Sequence, residues 1–125
     1  MIVAIPTPGK NLESRVDTRF GRAVGFILYD TETGTYRHIK NNLDALAPEG
    51  AGVQAARNLQ MKNIGAVITG HCGPKAFRIF SEAGILVYSG IRGPISKAVE
   101  GLKSGELQAL SAADAAEHWP ESPVS

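Results

Sequence analysis

Two stretches of the chain share one pattern, and this internal repeat constrains the fold more than any other feature. Each begins with a short apolar run, continues as Gly-x-x-Gly-Pro and ends in an amphipathic segment; the two motifs, Gly70–Pro74 and Gly90–Pro94, are 20 residues apart. A short apolar run is typical of a buried strand, and proline is favoured at the first position of a helix. The repeat therefore predicts a βαβ unit, whose two strands must be parallel.

The remaining hydrophobic pattern extends this unit into one α/β domain. Ahead of the repeat, the turn sequence Glu32-Thr33-Gly34 joins two strand-like runs into an antiparallel hairpin. The result is a three-layer α/β sandwich in which a hairpin joins a parallel βαβαβ half. The predicted strands are Ile2–Ile5, Phe26–Thr31, Thr35–Asn41, Ala66–Thr69 and Ile85–Tyr88, and the predicted helices are Gly52–Lys62, Pro74–Ala83 and Pro94–Lys103.

The end of the chain carries weaker signals. Leu107–Leu110 is interpreted as a short segment at the sheet edge, and Ala112–His118 as a last helical turn. Residues 1–119 then form a single domain, and residues 120–125 form a flexible tail.

Composition excludes several classes of function. Thirteen lysines and arginines against 12 acidic residues give a net charge of +1, whereas a general nucleic-acid binder carries a clear basic excess. No apolar run approaches the roughly 18 residues that span a bilayer, and the amino terminus lacks the basic flank of a secretion signal. The single cysteine cannot form an internal disulfide, which indicates a reducing compartment. We therefore expect a cytoplasmic protein that binds neither nucleic acid nor membrane.

The two glycine-rich loops are the predicted binding site. Because their strands are parallel, both loops open at the same carboxyl edge of the sheet, where α/β folds hold ligands. Helix N-termini present unpaired N–H groups and partial positive charge, so two of them facing one crevice would suit an anion. Three arginines are the nearest candidate cations. The predicted cofactor-binding residues are Arg19, Arg22, Gly70, His71, Cys72, Gly73, Gly90, Ile91, Arg92 and Gly93.

Cys72 and His71 allow more than one interpretation. A thiol just before a helix N-terminus has a lowered pKa, so Cys72 is either a reactive thiolate or a contact to a soft metal, or else a small, half-buried turn residue. His71 is a ligand, a hydrogen-bond donor to an anion or an exposed loop residue. The run His71-Cys72-x5-Arg78 also matches the bare pattern of a cysteine-dependent phosphatase loop, although Pro74 removes a donor and Arg78 falls inside a predicted helix.

Three motifs in order resemble the dinitrogenase iron–molybdenum cofactor biosynthesis family, which includes the NifX-type proteins and stand-alone relatives. The resemblance extends from Ile2 to Leu107 and implies a ribonuclease-H-like α/β/α fold with a five-stranded mixed sheet. It also implies binding or carriage of a metal–sulfur cluster without catalysis. The motifs are Asp17-x-Arg19-Phe20-Gly21-Arg22, Gly50-Ala51-Gly52-x-Gln54-Ala55-Ala56 and Val67-Ile68-Thr69-Gly70-x-x-Gly73-Pro74-Lys75-Ala76-Phe77.

Within that family, the stand-alone form resembles carriers of an anionic molybdenum–copper sulfide cluster, or a related molybdenum or iron–sulfur cluster, held non-covalently. The resemblance further implies protein partners in cluster delivery or an associated ATPase complex. One cysteine cannot ligate a multinuclear cluster, so Cys72 is not expected to be an essential covalent ligand. Two alternatives stay open: a cysteine-dependent hydrolase of a phosphate-like anion that uses the His71–Cys72 loop, and a ligand-free interaction module for a partner ATPase.

Overall fold

The fold is a five-stranded mixed sheet with helices on both faces, as predicted. The computed structural model describes residues 1–111, so the predicted last helical turn at 112–118, the domain end at 119 and the tail at 120–125 lie outside the described residues. No helix within residues 1–111 is long and apolar enough to cross a membrane. The elements are β1 (Ile2–Thr7), β2 (Gly25–Asp30), β3 (Tyr36–Lys40), α1 (Ala51–Gln60), β4 (Ala66–Ile68), α2 (Pro74–Glu82), β5 (Leu86–Tyr88) and α3 (Ile95–Ser104).

The strand order β3-β2-β1-β4-β5 joins an antiparallel half to a parallel half. β2 pairs antiparallel with both β1 and β3, whereas β4 pairs parallel with both β1 and β5. β1 lies at the centre, and its residues from Val3 to Thr7 are buried. Such a strand is covered on both faces, which is why its sequence is a continuous apolar run instead of an alternating one.

Side chains that alternate along the strands divide the interior into two cores. In β4, Val67 points into the core beneath α1 and α2, while Ala66 and Ile68 point into the core beneath α3. α1 and α2 pack against each other on the first face, and α3 covers the second. This arrangement gives the three layers expected from the sequence.

The second copy of the repeat differs from the first at its helix start. Pro74 is at the first turn of α2 as predicted, but α3 begins at Ile95, and Pro94 is its N-cap residue. Pro94 forms an isolated β-bridge with Arg15, which keeps its backbone extended (ψ 145°). A contact from a distant part of the chain therefore delays the helix by one residue.

The predicted edge segment Leu107–Leu110 is not a strand, yet it lies along the sheet. The Leu110 N–H donates a hydrogen bond of 2.7 Å to the Val87 carbonyl of β5. Leu107 and Ala109 pack against the core beneath α3, and Leu110 packs against the opposite core. The segment therefore covers part of the β5 edge without continuing the ladder.

Phe80→Ala tests the core beneath α1 and α2. The Phe80 side chain is fully buried and contacts the Phe20 ring edge-on, with 5.4 Å between ring centroids. Truncation leaves a cavity, so we expect the free energy of unfolding in urea to fall by about 3–5 kcal/mol. Leu46→Ala, at a side chain that is 93% exposed, is the control and should change it by less than about 0.5 kcal/mol. Equal effects of the two substitutions would contradict this packing.

Candidate functional site

The two glycine-rich loops lie side by side at the carboxyl edge of the sheet, as the repeat predicted. β4 and β5 are adjacent and parallel, so their ends meet there. The Gly90 N–H donates to the Gly70 carbonyl at 2.9 Å, and the Ile91 N–H donates to the Thr69 carbonyl at 3.2 Å. The loops are therefore joined directly through their backbones.

The connection between β1 and β2 runs over both loops, a contact that sequence analysis missed. The Val16 N–H donates to the Gly93 carbonyl (2.8 Å), and the Asp17 N–H donates to the Pro6 carbonyl at the end of β1 (2.7 Å). Three residues on, the Phe20 N–H donates to the His71 carbonyl (3.1 Å). We call residues Val16–Phe20 the crossing segment. It holds Arg19 beside the first glycine-rich loop, and Arg22 follows two residues after it.

Gly70 is required where the crossing segment meets the first loop. Its N–H donates to the Asp17 carbonyl (3.2 Å), and a Cβ built on Gly70 would lie 2.8 Å from the Thr18 Cα. The two glycines of the second loop have a different role, because Gly90 (φ 77°) and Gly93 (φ 87°) adopt left-handed backbone conformations. The glycine Gly70 therefore allows close backbone approach in the first loop, whereas Gly90 and Gly93 allow left-handed backbone conformations in the second loop.

The prediction that the N-termini of α2 and α3 face one crevice is wrong. The N–H groups of Ile95 and Ser96, at the start of α3, donate to the carbonyls of Ser14 (2.9 Å) and Leu12 (2.8 Å). α3 also packs on the face opposite α2. The β1–β2 connection has already used the donors that an anion would need at α3.

The N-terminus of α1 takes the place expected of α3. Two antiparallel pairings make β3 run in the same direction as β1, so α1, which follows β3, starts at the carboxyl edge. Gly21 lies against this start, because a Cβ on Gly21 would be 2.5 Å from the Gly52 nitrogen. Phe20 and Gly21 thus connect the first loop to α1.

The starts of α1 and α2 leave backbone donors unpaired. Within residues 1–111, no acceptor pairs with the N–H groups of Ala51, Gly52 and Val53 in α1 or of Lys75 and Ala76 in α2. The exposed residues Arg19 and Arg22 flank Phe20 and Gly21 between the two helix starts. We call this surface the anion edge; it comprises Gly50–Val53, Gly73–Ala76, Arg19 and Arg22.

Cys72 is a core residue, so the expected lowered pKa is wrong. It has no exposed surface and packs in the core beneath α1 and α2. Burial penalises the thiolate and raises the pKa of Cys72 to about 12. The thiol is therefore neither a nucleophile nor the half-buried turn residue that was the alternative.

The other predicted site residues lie at the surface or near it. His71 and Arg92 are exposed, and the half-buried Ile91 packs against the core beneath α3. Gly73 is the N-cap residue of α2 and is half-buried. Arg92 is on the second loop, which leads to the opposite face from the anion edge.

The donor set at this edge fits an anion and does not fit a directly ligated metal ion. Within residues 1–111, no three His, Cys, Asp or Glu side chains are grouped so that they could hold a metal. Backbone N–H groups and guanidinium groups donate hydrogen bonds, which suits an anion that brings its own acceptor atoms. Arg78 lies in the second turn of α2, so the first loop cannot wrap an anion as a phosphatase loop does.

Cys72 should resist labelling in the folded protein. A thiol-specific disulfide reagent at pH 8 should react slowly with the native chain and within seconds after unfolding in guanidinium chloride. Because folding favours the protonated thiol, its contribution to the free energy of unfolding is present below about pH 9 and decreases as pH rises towards 12. Rapid stoichiometric labelling of the native protein would contradict the burial of Cys72.

Gly70→Ala tests the crossing segment. An added methyl group meets the Thr18 backbone, so we expect the free energy of unfolding to decrease by about 1–3 kcal/mol. Gly52→Ala is the matched control, because a Cβ there contacts nothing and alanine favours the helix by roughly 0.5–1 kcal/mol. Thermal unfolding of both variants measures the difference. A Gly70→Ala protein as stable as the wild type would show that the two backbones are not in contact.

Comparison with known proteins agrees with this architecture. Among solved structures, the apo form of the orange protein from Desulfovibrio gigas is similar, with 33% identity and a TM-score of 0.81 over 89% of this chain and 92% of that one. A Thermotoga protein of the DUF35 family, provisionally described as a NifB protein, is 34% identical with a TM-score of 0.73 over 87% of this chain and 92% of that one.

Sequence comparison covers the same region. The uncharacterized protein MJ0580 of Methanocaldococcus jannaschii is 26% identical over 110 residues, 86% of this chain and 90% of that protein. A sequence profile described as "Dinitrogenase iron-molybdenum cofactor" matches residues 1–105. With a match over this length and a shared fold, the chain belongs to the dinitrogenase iron–molybdenum cofactor family.

Proposed function

We propose that this protein binds and carries an anionic metal–sulfur cluster that contains molybdenum, and that it catalyses no reaction of its own. The observation that carries the proposal is the anion edge, where unpaired N–H groups of two helices lie beside Arg19 and Arg22. Family membership and the similarity to the orange protein support it. The cluster is the cargo of the protein, so it must be held firmly and still be released.

The finer proposal is a molybdenum–copper sulfide cluster held non-covalently. Such a cluster brings its own sulfide ligands, which carry negative charge and accept hydrogen bonds. The anion edge donates hydrogen bonds and offers no grouped thiolates, since Cys72 is buried beneath it. We further propose that the protein delivers the cluster to partner proteins or to an associated ATPase complex, and that it does so in the cytoplasm. The cluster-binding domain is proposed to extend to residue 119.

Side-chain cations must supply much of the affinity. A helix N-terminus contributes about 0.3–1 kcal/mol at an exposed site, whereas micromolar binding requires about 8 kcal/mol. Hydrogen bonds to charged groups contribute about 1.5–3 kcal/mol each, so two arginines can supply a large part of the difference. Arg19 and Arg22 lie between the two helix starts, and Arg92 is a third, more distant arginine candidate.

The hydrolase alternative requires Cys72 as its nucleophile, and this residue is buried. A thiol without exposed surface, whose pKa burial raises to about 12, cannot attack a bound phosphate ester at neutral pH. A ligand-free interaction module stays as the alternative that the following experiment tests.

Reconstitution with tetrathiomolybdate and a copper salt tests the proposal. We expect the wild-type protein to retain a visible absorption band after gel filtration. Arg19→Glu/Arg22→Glu should retain at least tenfold less, because two attractive charges become repulsive, and the loss should shrink at high salt as exposed charges are screened. Arg37→Glu, on β3 away from the anion edge, is the control and should retain the wild-type amount.

Three outcomes separate the possible sites. Failure of the wild-type protein to retain any band contradicts the cluster proposal and favours the interaction module. Loss in Arg92→Glu together with unchanged retention in Arg19→Glu/Arg22→Glu would move the site to the second loop. Equal retention by all variants would show that these arginines are only part of the solvated surface.

A further inference from the structure

A second basic surface lies on the α1–α2 face, away from the glycine-rich loops. Two adjoining cavities, of about 350 and 190 Å³, lie along β3 and share Lys62 in their linings. The larger lies between β3 and the end of α1, and the smaller is bordered by residues of β1, β2 and β3. We call the two together the β3–α1 groove.

The groove exists because β3 is an edge strand that the helices only partly cover. Ile39 pairs with Phe26, and Arg37 pairs with Leu28, so these β3 side chains share the face of the core beneath α1 and α2. Phe26 and Leu28 are buried, whereas Ile39 is half-buried and Arg37 is exposed. The apolar layer therefore ends at Ile39, which forms part of the floor of the groove.

The charge along the groove is predominantly positive. Arg37, Lys40 and Lys62 border it, and within residues 1–111 none of the three forms an ion pair. Asp30 is the acidic residue in the same lining, and its Oδ1 accepts a hydrogen bond of 2.8 Å from the Glu32 N–H. Three cations against one carboxylate leave an excess that favours an acidic occupant.

The spacing of the cations favours a chain segment over a small anion. Arg37 borders the smaller cavity, Lys40 borders the larger one and Lys62 borders both, so the three cations are spread along the two cavities instead of surrounding one point. Met61, which is 81% exposed, adds an adaptable apolar side chain to the rim of the larger cavity. A row of carboxylates with apolar side chains between them matches this arrangement.

We propose that the β3–α1 groove docks an acidic, amphipathic segment of a partner protein. Apolar side chains of the segment pack on Ile39 and Met61, and its carboxylates pair with Arg37, Lys40 and Lys62. This surface is separate from the anion edge, so the inference does not depend on the cluster. A partner bound here would leave the anion edge open.

Titration with synthetic peptides tests the groove. The probe is a fluorescein-labelled, 16-residue amphipathic peptide with leucines on one face and glutamates beside them; a peptide with lysines in place of the glutamates is its control. We expect the acidic peptide to bind, with amide chemical-shift changes centred on Ile39, Asn41 and Asn58. Lys40→Glu/Lys62→Glu should weaken binding at least tenfold. Arg78→Glu/Lys97→Glu, with the same charge change on exposed helix positions, should not.

Each other outcome would overturn the proposal. Equal weakening by both double variants would indicate a general charge effect, and shifts centred on Gly70 would place the peptide at the anion edge. Saturation of the groove by ATP without peptide binding would make it a small-ligand site. Concentration-dependent dimerisation abolished by Lys40→Glu/Lys62→Glu, again without peptide binding, would make it a contact between copies of this chain. The Lys40→Glu/Lys62→Glu protein should retain the reconstituted cluster as the wild type does. Failure of the groove proposal can therefore be distinguished from failure of the cluster proposal.

Discussion

The candidate site depends on the backbone hydrogen bonds that the crossing segment makes with the end of β1 and with the two glycine-rich loops. Asp17 and Val16 donate to the carbonyls of Pro6 and Gly93, and the Asp17 carbonyl accepts from Gly70. These bonds hold the end of β1 and both glycine-rich loops together at one edge, because parallel strands bring their carboxyl ends there. Backbone groups at strand ends need partners, and here a single connection supplies several of them.

This arrangement also decides which helix can meet an anion. The residues that precede the crossing segment use the first donors of α3, whereas α1 and α2 keep theirs. Phe20, at the end of the segment, anchors it by packing against Phe26 and Phe80 in the core. The following glycine, Gly21, can then approach the start of α1 closely. One connection thus blocks a helix start on one face and joins two open ones on the other.

The cysteine that stands out in the sequence is not among the donors of the proposed anion site. Cys72 lies within the first glycine-rich loop, but its side chain turns into the core, where burial favours the neutral thiol. The remaining donors at the anion edge are N–H groups and guanidinium groups, which bind an anion by hydrogen bonds and charge. In the proposed function, such binding forms no covalent bond to the cluster, which suits a carrier that must release it.

Much of the fold was predictable, because strand and helix patterns and the glycine–proline repeat are local properties of the sequence. The parallel βαβ unit follows from them, and the position of the α1 start could also have been derived by counting the reversals from β1 through β2 to β3. Three features could not be predicted from the sequence: the occupied N–H donors of α3, the start of α3 one residue after Pro94, and the burial of Cys72. They depend on contacts with Leu12, Ser14 and Arg15 or on the packing of helices remote in sequence. The sequence by itself determined which loops meet, because strand direction follows from the local order of strands and helices. Only the tertiary structure decided which helix donors stay unpaired, because the carbonyls that pair with the α3 donors lie some 80 residues away along the chain.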